Sequence, residues 1–197
     1  AEGKILRSWS RQIVASSVTV IARCGNLSEL LANHPVLRGN ALALIAAECG
    51  QLLQRYPHLN ASPCAGGMYV YNDINIGIAI DDGRGLKVPV LRGMGSRPLA
   101  EVVAEVERFL VRYDANEISP ADMTGGTFTI TDLSRSGVLS LQPVLNQGQS
   151  AILAIGQDAA ASTPLVKAPH DQESYMWAGT ANGLVLTVTA GLPGRLS

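Results

Sequence analysis

No CxxC pair and no cysteine–histidine spacing of zinc-site type occurs in these 197 residues, and the three cysteines, Cys24, Cys49 and Cys64, are an odd set. That pattern excludes a disulfide framework and a structural zinc site. No metal is therefore expected, and the reducing cytoplasm is the expected compartment. No apolar run approaches the roughly 20 residues a helix needs to cross a bilayer, and the opening AEGKILRSW lacks a charged-then-apolar leader pattern. A membrane is not an expected partner. Basic excess is missing as well: 15 Lys and Arg stand against 16 Asp and Glu, and they are scattered along the chain. The electrostatic footprint of a phosphate-backbone binder is absent, so nucleic acid is not expected either. Charged residues make up only 16% against 47% apolar, a balance that fits a compact domain with part of its surface covered by partner subunits. The length suits one α/β domain with its own core, and neither a repeat nor a linker divides it.

What is present is a mixed pattern of strands and helices. VTVIAR (Val18 to Arg23) reads as a strand ending at Gly25 and Asn26, with Asn26 placed to cap a helix over LSELLAN. Leu42, Ile45, Cys49, Leu52 and Tyr56 recur at three- and four-residue steps within a helix expected from Leu37 to Tyr56 and stopped by Pro57. Leu99, Val102, Val106, Phe109 and Tyr113 mark a second helix face, with Ser96 and Pro98 at its start. Met68 to Tyr71 and Asn75 to Ile80 read as two strands of a hairpin around Asn72 and Asp73. Leu86 to Leu91 is a further β-type run, confined by Pro89 to an edge or a bulge. Ser119, Pro120 and Asp122 form a capping signal. Thr127 to Thr131, Ala151 to Ile155 and Leu184 to Thr189 read as three more strands. Gln157 to Thr180 is polar, carries Pro164 and Pro169, and reads as an extended loop or loose hairpin.

Four segments carry a resemblance: YPHLNAS (Tyr56 to Ser62), NIGIAIDDGRGLKVPVLR (Asn75 to Arg92), ISPADMTGGTFTITDL (Ile118 to Leu133) and QPVLNQGQSAILAIG (Gln142 to Gly156). In order and spacing they resemble the catalytic domain of the dihydrolipoyl acyltransferases, the E2 components of 2-oxo-acid dehydrogenase complexes. The resemblance implies an α/β, chloramphenicol-acetyltransferase-like fold: an α+β two-layer sandwich with a mixed sheet covered by helices. It also implies a homotrimer whose active sites lie between subunits, with coenzyme A entering from one side and the acyl acceptor from the other. On that reading residues 1–197 are one E2-type domain without the family's terminal helix, and no lipoyl or subunit-binding domain precedes it. The function implied is a stand-alone CoA-dependent acyltransferase acting on a small or carrier-bound thiol or hydroxyl acceptor. The alternative is a catalytically inactive E2-like subunit kept as a trimeric structural or binding element.

Acyl transfer from a thioester needs a base for the attacking thiol or hydroxyl and a donor for the oxyanion. The resemblance assigns the donor's part to Thr131, which stands at the hydroxyl position of GGTFTITDL; its other reading is a strand threonine facing solvent. The family's base is the histidine of a DHRxxDG motif, and here the matching place reads AGLPGRLS from Ala190 onward. Of the three histidines, His34, His58 and His170, each reads as an ordinary surface or structural residue, and His170 is the one considered as a substitute base across a subunit interface. Arg84, Gly85 and Leu86, with Arg92, resemble the part of the family that lies along the CoA channel. An arginine there could pair with a phosphate and Gly85 would give the backbone room. Against this, Asp81 to Gly83 also read as a plain hairpin turn with Arg84 as its solvated neighbour.

Overall fold

Among the described residues, six strands join into one mixed sheet in the edge-to-edge order β1 (Ile13–Arg23), β8 (Gly183–Pro193), β7 (Ala151–Asp158), β6 (Phe128–Asp132), β4 (Ile76–Ala79) and β5 (Val90–Leu91). The computed structural model describes residues 13–23, 27–64, 67–158 and 183–193. β4, β6 and β7 run parallel, and the outer pairs β1–β8, β7–β8 and β4–β5 are antiparallel. A separate two-stranded sheet pairs β2 (Ala61–Cys64) with β3 (Gly67–Val70).

Strand alternation divides the main sheet into two chemically distinct faces. Ile76, Ile78, Phe128, Ile130, Leu153 and Ile155 lie on one face and are buried in a single apolar cluster. The helices α2 (Ala41–Arg55) and α3 (Leu99–Asp114) cover that face. α3 buries Val102, Val106, Phe109 and Tyr113, the positions that its three- and four-residue spacing assigns to one side. Each such side chain stabilises the fold by roughly 1.5–3 kcal/mol on full burial. α2 presents Ala43, Ala46, Gly50 and Leu53. A Cβ on Gly50 would lie 2.4 Å from the Met94 carbonyl oxygen, so only glycine permits the helix to pack this closely. A shorter helix, α1 (Leu27–Asn33), precedes them.

The expected periodicity holds for α3 and for the strands through Thr131, Ile155 and Thr189, and the fold is the expected mixed sheet covered by helices; in α2 the buried row lies one residue on from the expected face, which leaves Leu42, Ile45 and Cys49 partly buried and Leu52 and Tyr56 exposed. α2 starts at Ala41 rather than Leu37, because the Asn40 side chain accepts the Ala43 N–H at 2.9 Å and begins the helix there. The hairpin expected from Met68–Tyr71 and Asn75–Ile80 is not formed. β3 pairs instead with β2, and β4 enters the main sheet between β5 and β6. Local turn residues suggested the hairpin, but a parallel partner fifty residues away took β4. β1 begins at Ile13, before the expected Val18, and runs through Ser17–Val18 without a break. Pro89 sits where the edge requires: its carbonyl accepts from the Ile78 N–H at 2.9 Å, and no donor is asked of it. Asn26 and residues 159–182, which include His170, lie outside the described residues.

Two ion pairs tie α3 to the loops at its C-terminal end. Arg112 reaches Asp122 at 2.7 Å, and Asp122 also accepts from the Ser119 hydroxyl and N–H, completing the expected capping box. Those donors, Arg112 first, hold the Asp122 carboxyl well below the usual carboxylate range. Arg84, through its hydrogen bonds, likewise holds Asp82 down to about 2. Depressed carboxyls stabilise the folded state above the ordinary carboxylate value, and that contribution disappears as pH falls through the folded value. Thermal stability should therefore fall between about pH 4 and pH 2. Asp122→Asn should lower Tm at neutral pH and flatten this acid limb, as followed by circular dichroism melts across the range; an unchanged limb would contradict the assignment.

Candidate active site

The segments singled out by sequence meet at one end of the sheet. Parallel pairing sets Ile76 beside Phe128 and Ala79 beside Thr131, so Asn75 and Gly125–Thr127 adjoin at the N-terminal ends of β4 and β6. There the Asn75 carbonyl accepts from the Thr127 N–H at 2.8 Å, and the Asn75 side chain bridges outward, donating to the Gly125 carbonyl and accepting from the Gly93 N–H. A cavity of about 270 Å³ opens at this end, lined by Tyr69 of β3 and Tyr71 just after it, by Asn72, Asp73 and Asn75, and by Gly125, Gly126 and Thr127.

Its walls are held by buried amides. Asn60, 2% exposed, donates to the carbonyls of Tyr71 and Asp73 and accepts from the Thr127 hydroxyl at 2.6 Å, so three walls share one side chain. Gln149, 5% exposed, donates to the Gly126 carbonyl at 3.0 Å and accepts from the Thr129 hydroxyl at 2.7 Å. The Tyr71 hydroxyl donates to the Gly148 carbonyl at 2.8 Å. Gly125 has φ +77, a conformation that glycine tolerates, and Arg92 packs against it. Sequence reasoning passed over Asn60, Gln149, Tyr71 and Asp73. The signal was available, because Asn60 and Gln149 are polar residues directly preceding the small and apolar runs ASPC and SAILAIG.

Thr131 lies four residues further along β6, near the opposite end of the sheet. It occupies the face away from the helices, between Ala79 of β4 and Ala154 of β7, and is half-buried. No hydrogen-bond partner for its hydroxyl is present among the described residues. The end of β8 lies at the cavity side: Gly191 donates its N–H to the Ser150 carbonyl, and Ser150 bonds β2 at Ala61. Thr131 pairs with Ala154, and Ala154 with Thr187, so Gly191 is four residues on from the hydroxyl's own level. That is about 13 Å along the strand. In one chain the hydroxyl and the end of β8 are therefore at opposite ends of the sheet.

The arginines proposed for an anion are separated in the same way. Arg84 lies in the turn beyond Ile80, at the Thr131 end, and Arg92 follows β5 at the cavity end. Arg84 is committed to its own chain. It pairs with Asp82 and, at 2.7 Å, with Asp114, donates to the Asp114 carbonyl, and stands 5.2 Å over the Tyr113 ring. Gly85 has φ +103 and accepts from the Tyr113 hydroxyl, while Leu86 is 61% exposed. Arg92 donates to the Thr124 carbonyl at 2.9 Å and so ties its segment to the loop before Gly125.

No group of three or more His, Cys, Asp or Glu side chains among the described residues is arranged to hold a metal ion, and none of the described helices is long and apolar enough to cross a membrane. The Cys49 thiol is pushed up to about 12, first by burial and then by Glu48, which removes it from nucleophilic chemistry.

Residues 5–179 match the profile of the 2-oxoacid dehydrogenases acyltransferase (catalytic domain). The dihydrolipoyllysine-residue succinyltransferase component of the 2-oxoglutarate dehydrogenase complex of Escherichia coli (strain K12) is 33% identical over 115 residues, 58% of this chain and 28% of that protein. The chain thus matches well under half the length of that curated relative. Among solved structures, a probable dihydrolipoamide acetyltransferase from Listeria monocytogenes superposes with a TM-score of 0.76 at 21% identity, covering 96% of this chain and 80% of that one. The cubic core of the pyruvate dehydrogenase multienzyme complex gives 0.76 at 21% identity, covering 100% and 79%. The fold shared with these is the acyltransferase core architecture that the sequence resemblance implied.

Removing the Asn60 amide would take the donor from the Tyr71 and Asp73 carbonyls, while the Thr127 hydroxyl would keep its bonds to the Asn75 backbone. Asn60→Ala should cost about 3 kcal/mol in urea unfolding, whereas a loss below about 0.5 kcal/mol would show that the cavity walls stand without it.

Proposed function

Because the chain belongs to the family of 2-oxoacid dehydrogenase acyltransferase catalytic domains, we propose that it transfers an acyl group between coenzyme A and a small or carrier-bound thiol, at a site completed by a neighbouring copy of the chain. The observation that carries this reading is the Thr131 hydroxyl. It is half-buried on the open face of β6, and among the described residues nothing competes for its proton. Such a hydroxyl is free to donate to the oxyanion of a tetrahedral intermediate.

Two features support a multimer. Thr131 and the end of β8 are too far apart in one chain to act on the same carbonyl, and a second copy can bring the two ends together. β1 is also an edge strand whose Val14, Val18 and Val20 are 68%, 65% and 53% exposed, an apolar row that asks for cover. A homotrimer is the assembly proposed. Coenzyme A is a substrate here, and Arg92 is the better placed of the two arginines to meet an anionic group, because Arg84 is already paired with two carboxylates.

A second reading has its own observation. The last part of β8, Thr189 to Pro193, is paired as plain strand with Ser17 to Ile13 and carries no histidine. A catalytically silent trimeric subunit would look the same at that point.

Incubation with acetyl-CoA or succinyl-CoA and dihydrolipoamide, following free CoA, separates the two. Transfer that Thr131→Ala lowers by about a hundredfold, and that Thr131→Ser retains, is the expected result. Absence of transfer from both thioesters, with the protein folded and multimeric, would establish the silent subunit.

A further inference from the structure

We infer that Asp73 is the general base of this site, taking the proton of the attacking thiol in the cavity beside Gly125 and Gly126. The inference rests on the acyl-transfer reading above and names a residue for the part that β8 leaves unfilled. Among the described residues that line the cavity, the titratable side chains are Tyr69, Tyr71 and Asp73. The Tyr71 hydroxyl is engaged as a donor to Gly148, and Tyr69, 59% exposed, meets Tyr71 edge-on. The Asp73 carboxylate has neither a hydrogen bond nor an ion pair among the described residues, while its backbone is fixed by the Asn60 amide at 3.0 Å. A fixed backbone with an unspent carboxylate facing a cavity is the arrangement that proton abstraction requires.

Among the described residues the other candidates fall away on geometry. His34 accepts the Val36 N–H within the turn after α1 and is not in the cavity lining. His58 is exposed on the 3-10 turn Pro57–Leu59, and its carbonyl, not its ring, takes part in the bonding here. Cys49 is buried in α2. Among the described residues, the titratable groups that share the cavity lining with Asp73 are Tyr69 and Tyr71; Arg92 packs against Gly125 of the same lining, and His58 lies on the turn packed against β3.

The step balances without a further reactant. The S–H bond of the acceptor breaks, its proton passes to an Asp73 carboxylate oxygen, and the sulfur pair forms a bond to the thioester carbonyl carbon. The carbonyl pair becomes an oxyanion held by the hydroxyl of Thr131 of the partner subunit. On collapse the carbon–sulfur bond to CoA breaks, and the departing thiolate recovers the proton from the Asp73 acid.

The test uses acetyl-CoA and dihydrolipoamide with the whole chain, comparing wild type, Asp73→Asn, Asp73→His and Thr131→Ala. Asp73→Asn should lower kcat about a hundredfold while changing KM for acetyl-CoA less than twofold. Asp73→His should recover much of kcat and move the acid limb of the pH–rate profile upward, because an imidazole ordinarily titrates above a carboxylate. Wild-type kcat in Asp73→Asn with Thr131→Ala still depressed would overturn the base and leave acyl transfer standing. So would equal losses in Asp73→Asn and Asp73→His with no displacement of the pH profile, since that pattern marks a structural role. No transfer by the wild type would overturn both readings.

Discussion

The geometry of this site depends on one buried amide that cannot be left unpaired. Transferring such a group out of water without partners costs roughly 2–7 kcal/mol, and Asn60 meets that cost with bonds to Tyr71, Asp73 and Thr127. Those three residues come from the segment after β3, the run into β4, and the entry to β6. Satisfying one side chain therefore fixes the mutual positions of its own segment, the Tyr71–Asp73 run and the entry to β6. The small sheet β2–β3 is carried along, because Ala61, directly after Asn60, exchanges bonds with Ser150 ahead of β7. The cavity is the space left over once these partners are in place.

A second constraint acts on the face of the sheet turned away from the helices. Its polar side chains are neutralised in cross-strand or loop pairs: Ser17 with Thr189 at 2.7 Å, Thr19 with Thr187 at 2.9 Å, and Thr129 with Gln149. Thr127 is satisfied by Asn60 at the same edge. Thr131 breaks this pattern, since its neighbours Ala79 and Ala154 offer only methyl groups. A half-buried hydroxyl without a partner is a stability cost with no packing gain. Here the cost falls on the residue at which the acyltransferase resemblance asks for an oxyanion donor, and flanking alanines leave room for a substrate group to approach it.

Much of this was legible in the chain because it depends on local period. Val102, Val106, Phe109 and Tyr113 announce a helix face, and TFTIT announces a strand with hydroxyls on one side. The capping box at Ser119 and Asp122 is likewise a matter of three-residue spacing. What escaped was set by distant partners. Asn72 and Asp73 look like a tight turn between adjacent strands, yet β4 finds β6 in parallel about fifty residues on, and β3 finds β2. Neither preference leaves a local mark. The spread of the proposed CoA-channel group has a similar origin: Arg84 and Arg92 are eight residues apart in sequence, but the antiparallel return of β5 sends them to opposite ends of the strand pair. Asp73 escaped because it read as turn chemistry, and its place in the cavity lining depends on partners distant in sequence.

The chemistry left to such a site narrows its acceptor. An ordinary carboxylate is weaker as a base than an ordinary imidazole by about 2.6 pK units, or about 3.5 kcal/mol in the proton-transfer step. For an alcohol, scarcely ionised at neutral pH, that deficit falls on a step already strongly uphill. A thiol with an ordinary value near 8.5 is a few per cent ionised and intrinsically nucleophilic, so a weaker base suffices. On the proposed reading, a site with a carboxylate for its base would suit thiol acceptors better than alcohols. The oxyanion donor, by contrast, serves either acceptor equally, since the intermediate carries the same negative oxygen. On the proposed reading, the Thr131 hydroxyl paired with a carboxylate base would form a coherent site for thioester exchange between thiols.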